Sequence, residues 1–435
     1  TLVSLKENYA PRLSAEYRLW DDESGKIKAF WGRSFLPVAS NTAYRQASAE
    51  YYFREKWFYD GVDANGIPIL TTQATGLGAY QSACPFALTP GSSGANCSVT
   101  GSGTVPDTSA AIAHNLKATK QTEFIVGYEQ AFGRWSFGLT YTHRSLDTNA
   151  EDMAIDAAVL QYCDEQGISG CSDTWTGFHQ YVIANPGNDL TVNLAGLDGR
   201  EVTFTAEQLG YPKAKRTYDA VDLTFARRWD GRWSLNGSYT WSKSKGNSEG
   251  FVQSDFGQDD AGITQDFDQP GFLPGAYGYL PNDRRHRIKL WGSVALDDSF
   301  TIGLTTQIES PRSLSCLGYN PTDVFANVYE AASHYCGGEL SPRGTAQKTG
   351  WFSTFDVSGR YTLQLPTGQN VTLRADVFNL FNAQAVSKRD EEGDLATDDD
   401  PTTGLPVYYY ANPNYGVATG YQTPRYVRLG LDISF

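Results

Sequence analysis

The chain has one methionine, five histidines and no apolar run near the roughly 18 residues that cross a bilayer as a helix. Membrane helices are excluded. Positive charge is short as well, with 35 Lys and Arg against 49 Asp and Glu and a formal net charge of −14. Nucleic acid is not an expected partner, because phosphate binding needs clustered Lys and Arg. Catalytic signatures are missing too. There is no Gly-x-Ser-x-Gly elbow and no His-Glu-x-x-His helix, and His114, His143, His179, His286 and His334 are scattered. No enzyme activity is expected. The six cysteines include no CxxC and no histidine at ligand spacing, which argues against zinc. They fall as near neighbours, Cys84 with Cys97, Cys163 with Cys171, and Cys316 with Cys336. That grouping predicts three loop disulfides made in an oxidising compartment. Thr1 carries neither an initiator Met nor a signal peptide, so the expectation is a mature chain or a piece of a longer one.

What is present points to β-structure in lipid. Aromatics make up 13% of the chain, with 26 Tyr and 10 Trp; Gly reaches 43 residues, and the mean hydropathy is negative. Aromatic girdles around a polar interior account for that mixture better than a secreted array of β-sandwiches, the rival reading. In the last stretch Val427, Leu429, Leu431, Ile433 and Phe435 alternate with Arg428, Gly430, Asp432 and Ser434. Successive strand side chains face opposite sides, so this is a strand with one face for lipid and one for the lumen, ending on an aromatic.

The same alternation recurs upstream. Leu13, Ala15, Tyr17 and Leu19 lead through a polar turn at Asp21–Gly25 to Ile27, Ala29 and Trp31. Further hairpins span Gln121–Leu146, Tyr218–Ser244 with Asp230-Gly231 at its turn, Ile288–Ile308 around Asp297-Asp298, and Phe355–Phe381 around Pro366-Thr367-Gly368. Between them lie long polar connections at about 35–116, 147–216, 245–281, 310–349 and 388–422, and Ala150–Gln166 reads as a short helix. Five hairpins and the closing strand make eleven strands, with short turns at one end and long loops at the other. A single-chain bacterial barrel needs an even number, and an open edge in lipid leaves backbone groups unpaired. Either one strand is hidden, or the chain is part of a larger barrel.

Specific stretches resemble TonB-dependent outer-membrane receptors. Arg374-Ala375-Asp376-Val377-Phe378-Asn379-Leu380-Phe381-Asn382 is similar to their penultimate strand, and Asn282-Asp283-Arg284-Arg285-His286-Arg287 to the opening of another. Pro11-Arg12-Leu13 followed by Ala29-Phe30-Trp31-Gly32-Arg33 is similar to a mid-barrel hairpin. The spread of these matches resembles the Oar-like branch. The resemblance implies a twenty-two-stranded transmembrane antiparallel barrel with an internal plug, of which this all-β chain, 1–435, holds the C-terminal half. Plug, TonB-contacting segment and early strands would lie outside this numbering. The implied location is the bacterial outer membrane.

Binding residues are weakly signalled. Asp255, Asp259, Asp260, Asp266 and Asp268 crowd one loop, and Asp390, Glu391, Glu392, Asp394, Asp398, Asp399 and Asp400 another. Calcium takes several carboxylate oxygens, so calcium is the candidate cofactor beside the plainer reading of solvated acidic loops; neither stretch has EF-hand spacing. Tyr408, Tyr409, Tyr410, Tyr415 and Trp351 could stack on a sugar, peptide or siderophore, or serve as girdle and packing residues. Arg374, Asp376, Lys289, Arg428 and Asp432 sit on the lumen face and are expected to pair with one another or with a plug. The resemblance implies capture of a solute by the outer loops and energised import, with an export-linked or surface-interaction role and a passive porin as alternatives. Implied partners are the lipid bilayer and lipopolysaccharide, the barrel assembly machinery, a TonB-type energising complex, and an unknown solute, peptide or surface protein.

Overall fold

The computed structural model describes residues 8–22, 24–36, 54–57, 59–65, 68–70, 97–100, 107–258 and 262–434. Eleven long strands follow one another: β1 (Arg12–Arg18), β2 (Gly25–Phe35), β3 (Lys120–Phe132), β4 (Trp135–Thr148), β5 (Arg216–Arg227) and β6 (Trp233–Gly246). They continue as β7 (His286–Ala295), β8 (Phe300–Glu309), β9 (Phe352–Gln364), β10 (Asn370–Phe378) and β11 (Tyr426–Ser434). Each pairs antiparallel with its neighbours in chain order, and the short strand Gly278–Tyr279 adds to β6 to complete a twelve-stranded sheet. Among the described residues β1 and β11 pair on one side only.

The register keeps the two faces chemically separate. One cross-strand row reads Tyr17, Ile27, Tyr128, Leu139, Leu223, Tyr239, Ile288 and Ile308. The adjacent row on the other face reads Arg18, Lys26, Glu129, Gly138, Thr224, Ser238, Lys289, Gln307 and Thr354. A slip of one residue in any strand would carry its apolar set to the polar side. The apolar face stays uncovered: Leu139, Leu223, Leu429 and Leu431 are 46%, 49%, 77% and 60% exposed. In water that would be a liability; in a bilayer it is the lipid contact.

Turns at one end are short. Phe132 pairs directly with Trp135, so residues 133–134 alone connect β3 to β4, and Gly133 takes the positive φ of +55° that this turn demands. Asp230 caps the next turn by accepting the N–H groups of Arg232 and Trp233 at 2.9 and 3.0 Å. Asp297 does the same for Ser299 and Phe300, both at 2.8 Å.

The long connections are not the structureless spans their composition suggested. The second, between β4 and β5, folds around a core of Met153, Val159, Trp175, Val182, Val192, Leu194 and Phe204, each 0–1% exposed. Phe267 and Leu273 from the third connection enter the same core. Two ribbons, Glu151–Ala154 with Tyr181–Ala184 and Leu190–Leu194 with Arg200–Phe204, frame it beside the helix α1 (Asp156–Gln166). The helix therefore begins later than Ala150, because 151–154 is taken by ribbon pairing. Asp156, fully buried, accepts the backbone N–H groups of Gly177, His179 and Gln180 at 2.8–3.0 Å and latches the segment after the helix onto its start. Cys163–Cys171 and Cys316–Cys336 are bonded as expected, while Cys84 lies outside the described residues. Phe435 also lies outside them, so the closing strand is seen to Ser434.

The last hairpin ends earlier than Phe381. Asn379 adopts a left-handed φ of +49° and donates its N–H to Asp356, and its side-chain amide binds the carbonyls of Ala383 and Thr423. The chain turns out of the sheet there.

Candidate functional site

At the long-loop end of the strands, the third, fourth and fifth connections line an open cavity of about 620 Å³. Ser254 to Gly257 come from the third, Arg312 and Leu317 from the fourth, and Ser387 to Glu392 from the fifth. A parallel bridge between Leu317 and Glu392 stitches the fourth connection to the fifth. Below it, Glu391 accepts Arg312 Nη2 at 2.9 Å and the N–H of Ser315 at 2.6 Å. Burial raises the pKa of Glu391, and the Ser315 N–H and Arg312 oppose the rise. Lys388 and Glu392 stay exposed at the cavity wall.

Beside the cavity lies a buried ionic cluster. The Arg343 side chain is 1% exposed; its Nη2 donates to Asp266 Oδ1 at 2.9 Å, its Nε lies 3.5 Å from Asp255, and its Nε also meets His334 Nε2 at 3.0 Å. Burial opposes charge on Arg343, but Asp255 and Asp266 outweigh it and raise its pKa. Asp266 is pushed up to about 6, chiefly by burial and against the pull of Arg343. Glu249 is pushed up to about 7 by burial and by the neighbouring Asp255. Burial and Arg343 hold His334 neutral, with its pKa well below the usual imidazole range. The cluster braces the third connection against the fourth.

An apolar outward face, a polar inward face, short turns at one end and a folded cap at the other describe a membrane β-barrel wall. The family described as "Outer membrane beta barrel domain" matches residues 2–300. This chain belongs to the outer membrane β-barrel family. The protein resides in the bacterial outer membrane. Over 350 residues the barrel chain is 26% identical to the TonB-dependent transporter Oar of Myxococcus xanthus, covering 74% of this chain and 29% of that relative. It therefore spans under a third of that relative's length. Among solved structures, the outer membrane transporter YddB from Escherichia coli aligns with a TM-score of 0.47 at 11% identity, covering 98% of this chain and 40% of that one. The ferric enterobactin receptor PfeA from Pseudomonas aeruginosa gives 0.45 at 12%, with 98% and 40% covered.

The barrel puts its acidic loop residues to structural use. Asp255 and Asp266 face Arg343, Asp268 accepts the Tyr329 hydroxyl, and Asp259 and Asp260 lie outside the described residues. In the fifth connection Asp394 accepts the Gly337 N–H at 2.9 Å, Asp399 accepts Asn327 Nδ2 at 2.8 Å, and Asp400 caps Thr402 and Thr403. No group of three or more potential ligands is arranged for a metal ion among the described residues. Among the described residues these carboxylates are engaged by ion pairs, a hydroxyl and backbone N–H groups, as closely spaced carboxylates need cations or N–H donors.

Trp351 stacks on His286, which in turn stacks on Tyr239 of the outward row. Tyr409 is half-buried over Gly338, whereas Tyr408 and Tyr410 are 57% and 45% exposed with their rings 5.0 Å apart. They share one face of the ribbon Asp394–Asp399 with Pro406–Ala411, and Tyr410 donates to Asp398 at 2.7 Å. On the inner wall Asp376 binds both Arg374 and Arg428, the mutual pairing expected of lumen charges. The residues that sequence reasoning missed are Arg312 and Arg343. A signal was present: the tripeptide Ser-Pro-Arg occurs at 310–312 and again at 341–343, in a loop with one other cation, Lys348.

Proposed function

We propose that this chain is the C-terminal portion of a TonB-dependent transporter, whose folded outer loops capture a solute above a plugged lumen. The cavity lined by three outer connections, which buried ion pairs tie to one another, carries this reading, since a passive pore has no need of such a braced chamber. The 26% identity to a TonB-dependent transporter over most of this chain supports it. The single-sided pairing of β1 and β11 supports further strands closing the barrel, because neither edge can be left open in lipid. Energy would come through a TonB-type partner acting on a plug. The assembly machinery would read the closing strand Tyr426–Ser434 with Phe435. The test is conductance of potassium chloride through the intact protein purified from outer membranes and placed in a planar bilayer. A plugged transporter gives no steady current until urea loosens the plug. A steady open current from the untreated protein would make it a porin.

The exposed Tyr408 and Tyr410 face favours a second reading, a surface interaction or export-linked role, because rigid aromatic platforms recur at protein interfaces. Under that reading, Tyr408→Ala with Tyr410→Ala abolishes binding of a partner protein while leaving the silent conductance unchanged.

A further inference from the structure

In the fifth connection the ribbon of Asp394–Asp399 with Pro406–Ala411 is tied down along one edge and open along the other. On the tied edge Asp394 donates its N–H to the Leu317 carbonyl at 3.3 Å, and the Tyr319 hydroxyl donates to the Leu395 carbonyl at 3.2 Å. Tyr409 packs over Gly338 and fixes the inner face. The tip is closed by Asp400, whose N–H reaches the Leu405 carbonyl at 2.9 Å while its own carbonyl accepts the Gly404 N–H at 2.8 Å. The ribbon is therefore held rigidly, yet its outer strand is incomplete. Among the described residues Pro406–Ala411 makes no backbone hydrogen bond outside its pairing with Asp394–Asp399. Its sequence, Pro406-Val407-Tyr408-Tyr409-Tyr410-Ala411, carries no charge, and Val407, Tyr408 and Tyr410 are exposed. A β-branched and aromatic strand with an open edge is a template for a further strand.

Charge says what that strand must carry. No Lys or Arg occurs between Arg389 and Arg425, whereas Asp398, Asp399 and Asp400 fall inside that span. Their partners are the Tyr410 hydroxyl, the Asn327 amide and the N–H groups of Thr402 and Thr403, all neutral, so the negative charge at this end of the ribbon is uncompensated. In the register Asp398 lies opposite Tyr408, and the exposed face therefore brings Asp398, Tyr408 and Tyr410 together. A cationic side chain crossing that face meets two aromatic rings and a carboxylate at once. Main-chain bonding along the open edge supplies affinity, and alternate side chains supply specificity. We propose that Pro406–Ala411 receives an extended, lysine- or arginine-bearing segment of a partner protein as an added β-strand, with the cations of that segment over Tyr408 and Tyr410 and beside Asp398. The inference rests on the surface-interaction reading and gives its partner a chemistry; import alone does not require it.

The test uses the intact protein purified from outer membranes, in detergent, with a short labelled peptide of alternating lysine and threonine followed by fluorescence anisotropy. That peptide should bind saturably. A peptide of alternating glutamate and threonine, and the lysine peptide N-methylated at every residue, should each bind about tenfold or more weakly. The N-methylated peptide keeps the charge and loses the backbone donors, a comparison that needs no variant. Asp398→Lys should weaken the lysine peptide about tenfold or more, whereas Glu165→Lys, the same charge change at an exposed site on α1, should not. Equal binding of the N-methylated peptide would leave a charged aromatic platform and overturn the added strand. Equal losses in the two variants would make the attraction general to an acidic chain and overturn the site. Absence of binding by the lysine peptide also overturns the proposal; the surface-interaction reading would still stand if a partner protein depended on Tyr408 and Tyr410.

Discussion

Arg343 shows how one side chain can hold two loops together. Replacing it by Met leaves Asp255 and Asp266 buried without a cation, at a cost of about 3–5 kcal/mol in the stability of the cap. Hydrogen exchange over 254–268 and 334–343 should rise sharply in the variant, while exchange in β5 and β6 stays protected. Glu249, close by, makes the same region sensitive to pH. Its folded-state pKa, raised to about 7 from an ordinary 4.5, means that the folded cap binds the proton more tightly than the open one. The stability from that proton is therefore fully present below about pH 4.5 and is lost as pH rises to about 7, with little further change above. Exchange in the cap should speed up from pH 5 to pH 8 beyond the intrinsic rate, and Glu249→Gln should flatten the profile. An unchanged slope in that variant would place the titrating group elsewhere. None of this was legible from the acidic stretches alone. Carboxylates crowded in sequence look like a cation site, and only the position of Arg343, 77 residues after Asp266, reveals the cation as the protein's own.

At the scale of elements, the strands were readable because a period of two is local information. Trp135 to Tyr141 and Val221 to Phe225 alternate so clearly that their faces follow without any contact. The face assignment makes a prediction. Leu223→Arg, in the middle of the outward row, should cost about 2–4 kcal/mol of folding in lipid vesicles. Thr224→Arg, one residue on and facing inward, should fold almost as wild type. Equal penalties at the two positions would show that the sheet does not sit in lipid as its register implies. The cap was not readable for the opposite reason. Its core gathers Met153, Val192 and Phe267 from two connections with no shared period, and its contacts, such as Glu151 accepting the Thr264 N–H at 2.9 Å, close over long spans of chain. The cysteines were the exception, since Cys163–Cys171 and Cys316–Cys336 are separated by only 8 and 20 residues. Removing either by Cys→Ser pairs should destabilise its own loop by about 2–3 kcal/mol on a chain-entropy basis, the longer loop more. Protease nicking within 149–215 or 310–351 reads each separately.

For the whole molecule the question is what completes the wall. Eleven strands in chain order leave β1 and β11 with free edges among the described residues, and lipid does not tolerate them. Cysteines placed at Ser14 in β1 and at Gly430 in β11 probe both edges in the intact protein from outer membranes. If further strands close the barrel, the two positions should fail to crosslink to each other within one molecule. A direct crosslink between them would mean that these eleven strands close on themselves, and the larger barrel would be wrong. The sorting of connections was foreseeable at this scale, because short turns and long loops alternate along the sequence. The folded core of the long connections was not.

That shared core has a consequence for how such barrels diversify. Phe267 and Leu273 leave the third connection to fill a core built mainly by the second, so the two are one folding unit threaded through two hairpins. The second connection grafted alone onto another barrel would lack Phe267, Leu273 and Ala276 in its core, and the third grafted alone would leave those three side chains uncovered. Recombination can therefore exchange this cap only as a block that carries β5 and β6 along with it, and new specificities on this scaffold have to arise by substitution within the block or by moving all of it at once.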